Sequence, residues 1–145
     1  MCKIISIQSL LFTSIIFQGC SSAGIENKTF PIESYTFSDS IVVDSNYTFY
    51  RDATLEMYKI KENNYVVVLN VYFGPPNFNS GLFKDTVQFY NNIGIGTPAE
   101  FDSTCKLYFI KSKDKIRIIQ RSKSPFPCGF AHSVFADGVY LQKKK

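Results

Sequence analysis

Histidine occurs once in the chain, at His132, and that restricts the acid–base chemistry the sequence can assemble. A Ser-His-Asp relay through Asp137 can be imagined, but the Gly-x-Ser-x-Gly elbow that presents a nucleophilic serine on a strained turn is missing. Glycoside hydrolysis needs two carboxylates facing one bond. Spacing singles out no pair, and Glu56, Glu62 and Glu100 read as solvent-facing. Gly94-x-Gly96 continues without the third glycine or the Lys-Ser/Thr of a phosphate-cradling loop. Two cysteines and one histidine fall short of the four ligands of a structural zinc site. The expectation is therefore a non-enzymatic protein with no metal and no cofactor.

The cysteines point to a different chemistry. Met1-Cys2-Lys3 is a short positive start, Ile4 to Phe17 is an apolar run broken only by Ser, Gln and Thr, and small residues follow from Gly19. This is the layout of a secretory signal, too short to span a bilayer as a mature helix. Cys2 leaves with such a leader, and Cys20 is modified or removed with it. That leaves Cys105 and Cys128 in an oxidising compartment, where they are expected to pair. Closing that loop stabilises the fold by about 3 kcal/mol through lost unfolded-state entropy.

Gly19-Cys20, followed by Ser21-Ser22-Ala23-Gly24, resembles the lipobox of bacterial lipoproteins, with Phe17 where leucine is usual and Gln18 an atypical neighbour. Relaxed versions occur in Bacteroidetes-like lipoproteins. The resemblance implies a signal peptide over residues 1–19, lipidation of Cys20 and a membrane partner reached through that lipid. The expected location is the bacterial outer membrane, periplasmic side favoured. The alternative is ordinary cleavage after Ala23, which would give a secreted or periplasmic soluble protein. Residues 20–45 read as a tether containing a candidate edge segment, Ile41-Val42-Val43.

Beyond the tether, short apolar runs alternate with turn residues. Strands are expected over Tyr47–Arg51, Thr54–Ile60, Tyr65–Tyr72, Asp85–Tyr90 and, weakly because of its glycines, Ile93–Thr97. Tyr65–Tyr72 is too rich in β-branched residues to favour a helix. Cys105–Lys111 and Ile116–Gln120 form a hairpin. Phe130–Ala136 and Val139–Leu141 read as a second hairpin about Asp137-Gly138, a strong turn dipeptide. The fold class is all-β: a small antiparallel up-and-down barrel over residues 46–142, with a β-sandwich as the alternative and a basic tail at 143–145.

The C-terminal third carries a signature: Cys105-Lys106-Leu107-Tyr108-Phe109, a strand ending in Gln120, Cys128-Gly129-Phe130, and Asp137-Gly138-Val139-Tyr140. It resembles the end of a largely uncharacterised family of small exported bacterial β-barrel proteins, except that Ala131-His132-Ser133 replaces the family's glycine after Phe130. The resemblance implies a disulfide-stapled barrel and assigns no chemistry. Gly129 is expected to allow positive φ or close approach. Tyr140 is expected to pack its ring at the barrel end with its hydroxyl at the rim.

Charge is uneven. Residues 24–62 hold seven acids and four bases, residues 104–145 ten bases and two acids. Solvated strand faces account for this, and so does a basic face for anionic lipid headgroups or an acidic glycan. Nucleic acid is not an expected partner of an exported, lipid-anchored chain. The functional expectation is a monomeric cell-envelope lipoprotein, structural or binding a protein or glycan. Phe78 and Phe126, each beside prolines, are its candidate binding-loop residues; the competing expectation is that both rings cap the barrel ends. The alternatives are an inhibitor of a lysozyme-like hydrolase and a calycin-like carrier of a small apolar ligand.

Overall fold

The computed structural model describes residues 32–44, 47–75, 78–124 and 126–144. The leader, Cys20 and the first part of the tether lie outside them. Among the described residues eight strands form one closed antiparallel barrel. They are β1 (Ile32–Asp44), β2 (Tyr47–Lys61), β3 (Asn64–Phe73), β4 (Ser80–Tyr90), β5 (Ile93–Gly96), β6 (Lys106–Lys111), β7 (Lys115–Arg121) and β8 (Gly138–Gln142). Each pairs with the next, and β8 returns to β1. The barrel, not the sandwich, is the architecture.

Alternation fills the interior. Tyr65, Val67, Leu69, Val71 and Phe73 are buried on β3 while their neighbours face outward. On β2 the register sets Ala53, Leu55 and Met57 opposite Val71, Leu69 and Val67, so the inner wall is built from paired apolar side chains. An eight-stranded barrel is narrow enough for such side chains to occupy its interior. β5 contributes space instead of bulk. A Cβ on Gly94 would lie 2.6 Å from Val87, and one on Gly96 2.4 Å from the Phe83 ring. The glycines that weaken this strand in the sequence are what admit the rings of β4.

Several boundaries differ from expectation. The barrel begins at Ile32, so half of the expected tether is a structural strand: Tyr35 is buried, Phe37 packs against the core, and β1 pairs with β2 from Ile32 to Asp44. The polar Ser34, Thr36 and Ser38 that alternate with the inward pair, and the acids Glu33 and Asp39 that flank it on its own face, hide it in the sequence. β2 is one strand, because Ala53 points inward between the two expected segments. β4 starts at Ser80, where Gly81 leaves room for Phe130.

The second expected hairpin does not form. Residues 130–136 are not a strand, and Gly138 starts β8 opposite Ile118. Phe130, Val134 and Ala136 are buried, so this segment gains more by crossing the barrel end than by pairing at its edge. Gly138 serves close packing, since a Cβ there would meet the Phe37 ring at 2.7 Å. The Tyr140 hydroxyl is not at the rim; it is buried and donates to the Ala136 carbonyl at 2.9 Å.

The two ends of the barrel are unlike. At one, tight turns join β2–β3, β4–β5 and β6–β7, and the chain joins and leaves the barrel there. At the other lie the β1–β2 turn and the longer connections 74–79, 97–105 and 122–137. Cys105 and Cys128, 5.0 Å apart at Cα, are disulfide-bonded at this loop end and close a separation of 23 residues. Replacing both by serine should cost about 3 kcal/mol in urea unfolding under oxidising conditions. An unchanged midpoint would show that the bridge does not hold the loop end.

Candidate functional site

The loop end is assembled around segment 122–137, which has little regular structure of its own. Its polar backbone groups must still find partners where it is buried. The three polar side chains buried among the described residues, Arg51, Asp102 and Gln120, each supply one. Gln120 accepts from the Ala136 N–H at 2.8 Å, and Asp102 from the Cys128 N–H at 3.0 Å. Arg51 donates to the Phe135 carbonyl at 3.2 Å. The disulfide adds a covalent tie, and Asp137 accepts from the Gln120 N–H at 3.2 Å.

Arg51 is half of an electrostatic contact with the aromatic core. Its guanidinium carbon lies 4.5 Å from the Phe37 ring centroid and 4.4 Å from that of Phe135. Burial lowers its affinity for the proton, while Tyr140 and Asp39, whose carboxylate is 3.5 Å away, act in the opposite sense. The rings replace part of the water that the cation gives up, and the stem fills core space.

An oxygen of the Asp102 carboxylate and the two cysteine sulfurs lie within 4.8 Å of one another, a spacing that could place three donors around one ion. That donor set is consumed, however. The sulfurs are bonded to each other, and the carboxylate also accepts from Ser122 Oγ at 2.5 Å, Thr104 Oγ1 at 2.7 Å and the Thr104 N–H at 2.9 Å. These donors, with Ser122 the strongest, hold it well below the usual carboxylate range. It is a loop organiser, not a metal ligand.

Against segment 122–137, which forms a lid over the barrel mouth, stands the β1–β2 hairpin. β2 pairs with β3 only from Arg51 onward, and β1 meets β8 only at Tyr35 and Thr36. Its outer part therefore runs beyond the barrel, by roughly 15 Å at strand geometry. Between hairpin and lid lies a groove of about 370 Å³, walled by Ile41, Phe49, Phe73 and Phe135, with Asn79, His132 and Ser133 supplying polar groups. The Asn79 amide donates to the His132 carbonyl at 2.9 Å and ties the chain just before β4 to the lid. Three non-glycine residues with positive φ belong to this end: Phe78 at 47°, Cys128 at 65° and Ser133 at 63°. Such conformations cost about 1 kcal/mol or more each and concentrate where geometry serves function. Asn91 and Asn92, the other two, form the β4–β5 turn that asparagine tolerates.

Phe78 and Phe126 come to this same end, but they cap nothing. They are 75% and 56% exposed, and Phe130 and Val134 do the capping. Phe126 meets the His132 ring edge-on at 5.9 Å, so the Ser-His-Asp relay is not brought together: Asp137 instead serves Gln120 and lies 3.9 Å from Arg121. No single stretch of sequence signals the groove. Ile41 was visible only as an edge residue, and Phe49, Phe73 and Phe135 belong to three separate segments whose meeting requires the lid. At the turn end, a more polar recess of about 340 Å³ holds Tyr65 and Lys111, but Lys111 is neutralised by Glu33 at 2.6 Å.

Comparisons with family models, with curated proteins and with solved structures return no match to the chain.

Asp102 makes the lid sensitive to acid in one direction. Its folded-state pKa lies below the ordinary 3.8, so its stabilising contribution is complete above that value and is lost as pH falls below it. Wild-type unfolding midpoints should drop between about pH 5 and pH 2. Asp102→Asn should be less stable at pH 7 and lose less over that interval. Parallel pH curves for the two proteins would contradict the role assigned to Asp102.

Proposed function

We propose that this chain is a non-enzymatic lipoprotein of the bacterial cell envelope whose barrel is a binding module, with the loop-end groove as its binding site. The single observation that carries the reading is that groove: a concave apolar surface bounded by a projecting hairpin and a pinned lid, with convergent polar groups at Asn79 and His132. Its occupant is an apolar or aromatic group of a partner. Exposed Phe78 and Phe126 widen the contact around the lid. The buried titratable groups support binding over catalysis, because the Asp102 carboxylate, the terminal nitrogens of Arg51 and the Tyr140 hydroxyl are engaged by backbone and neighbouring side chains.

Polarity of the barrel supports the envelope reading. The N-terminal segment joins at the turn end, so a lipid on Cys20 would leave the groove directed away from the anchor. The filled interior argues for a ligand held at the loop end instead of in the lumen of a carrier. A second reading, inhibition of a lysozyme-like hydrolase, draws support from the acidic excess of β1–β4, which flank the groove and could meet a basic enzyme; lysozyme turnover unaffected by micromolar protein would remove it.

Two measurements test the main reading. Intact mass of protein extracted from native-host membranes should begin at Cys20 and carry acyl mass; an unprocessed chain overturns the anchor. An apolar fluorescent dye, anilinonaphthalene sulfonate, should bind saturably at one site, and Ile41→Asp should weaken it at least tenfold while Leu82→Asp on β4 does not. Equal effects of the two substitutions would overturn the groove as the site.

A further inference from the structure

The two halves of the barrel differ in charge and in what is interleaved with it. Residues 32–90 carry seven acids and four bases, whereas residues 93–144 carry nine bases and four acids. On the outer surface of β5–β8 the register places cations next to exposed apolar side chains. Arg117 lies opposite Val139 on β8 and Ile110 on β6, and Lys115 lies opposite Leu141. Val139, Leu141, Ile93 and Ile95 are 44%, 59%, 45% and 51% exposed. Acids on this side are few: Asp137, 3.9 Å from Arg121, and Asp114 in the β6–β7 turn.

We propose that the outer face of β5–β8 docks on the surface of an anionic phospholipid bilayer. Cations interleaved with protruding aliphatic groups match a headgroup layer, in which the charges meet phosphates and the side chains reach the acyl boundary. The charged outer face lies on such a surface and does not span it, since a spanning barrel turns an apolar band outward. Chain geometry supports the same orientation. β1 lies beside β8, and the Lys143 N–H donates to the Ser34 carbonyl at 2.9 Å. The start of β1 therefore lies beside the strand that leads into Lys143 and Lys144, and an N-terminal anchor would bring this side toward the bilayer. The groove stays open in that pose, because its hairpin and β3 wall belong to the opposite half. The inference goes beyond the binding-module reading and stands without it.

The chain has no tryptophan, so one introduced tryptophan reports its own surroundings. Leu141→Trp is the probe, and Leu82→Trp on β4 is a control of matched exposure, 59% against 61%. Both are made in the full chain and mixed with phosphatidylglycerol or phosphatidylcholine vesicles. Emission should shift to the blue for Leu141→Trp on phosphatidylglycerol alone, and the shift should be lost in about 0.5 M salt. Adding Arg117→Gln or Lys115→Gln should weaken partitioning roughly fivefold each. The Leu82→Trp signal should stay unchanged. Equal shifts at both positions, or a shift that persists on phosphatidylcholine and in high salt, would mean that the leader drives association and would overturn the proposal. So would a Leu141→Trp response to polygalacturonate without one to vesicles, which would assign the face to acidic glycans.

Discussion

Everything at the loop end follows from one requirement: a long irregular segment laid across the mouth of an apolar barrel must have its buried N–H and C=O groups satisfied. Burying polar backbone without partners costs roughly 1–3 kcal/mol per group, enough to displace residues 122–137 into solvent. The chain meets this with Gln120 for Ala136, Asp102 for Cys128 and Arg51 for Phe135. Each of these polar side chains is itself buried, which is tolerable because each is engaged by the segment it holds. The disulfide and the Tyr140 hydroxyl reinforce the same segment.

The lid in turn makes the rest of the molecule intelligible. Phe130 enters the space left by Gly81, and Gly129, at φ +72°, passes the Phe101 side chain where a Cβ would not fit. Phe135 reaches Phe73 edge-on at 5.1 Å and contributes a wall of the groove. A barrel closed by a pinned lid can hold a hairpin and a groove in fixed relation, and that pre-organisation lowers the entropic cost of binding. The turn end needs no such device. Short turns, the Glu33–Lys111 pair and the Tyr35 hydroxyl donating to Glu33 at 2.8 Å close it.

The legible parts of this architecture are those governed by local alternation. Tyr65–Tyr72 could be read because its run of β-branched residues suits a strand on both faces, and the Cys105–Gln120 hairpin because Lys106, Lys115 and Arg117 alternate with inward Leu107, Ile116 and Ile118. β1 was obscured because Glu33 and Asp39 lie on the same face as Tyr35 and Phe37; those acids are accommodated by Lys111 and Arg51, partners distant in sequence. The last connection departs from expectation because Asp137-Gly138 has the chemistry of a turn, while its position depends on long-range contacts with Gln120 and Phe37. Arg51 gave no signal at all, since a single arginine between Tyr50 and Asp52 looks like a solvated charge until three rings close around it. The pair Cys105–Cys128 and the prominence of Phe78 and Phe126 were visible; the groove beside them was not, because no single stretch of chain contains it.

Native-state hydrogen exchange of the full chain tests the pinned lid most directly. If buried side chains hold segment 122–137, the Cys128 and Ala136 amides should exchange only through global unfolding, at the rate of core amides such as Leu69. Exchange of those two amides as fast as Asn91 and Asn92 in the exposed β4–β5 turn, while Leu69 remains protected, would mean that the lid opens freely and would contradict the account.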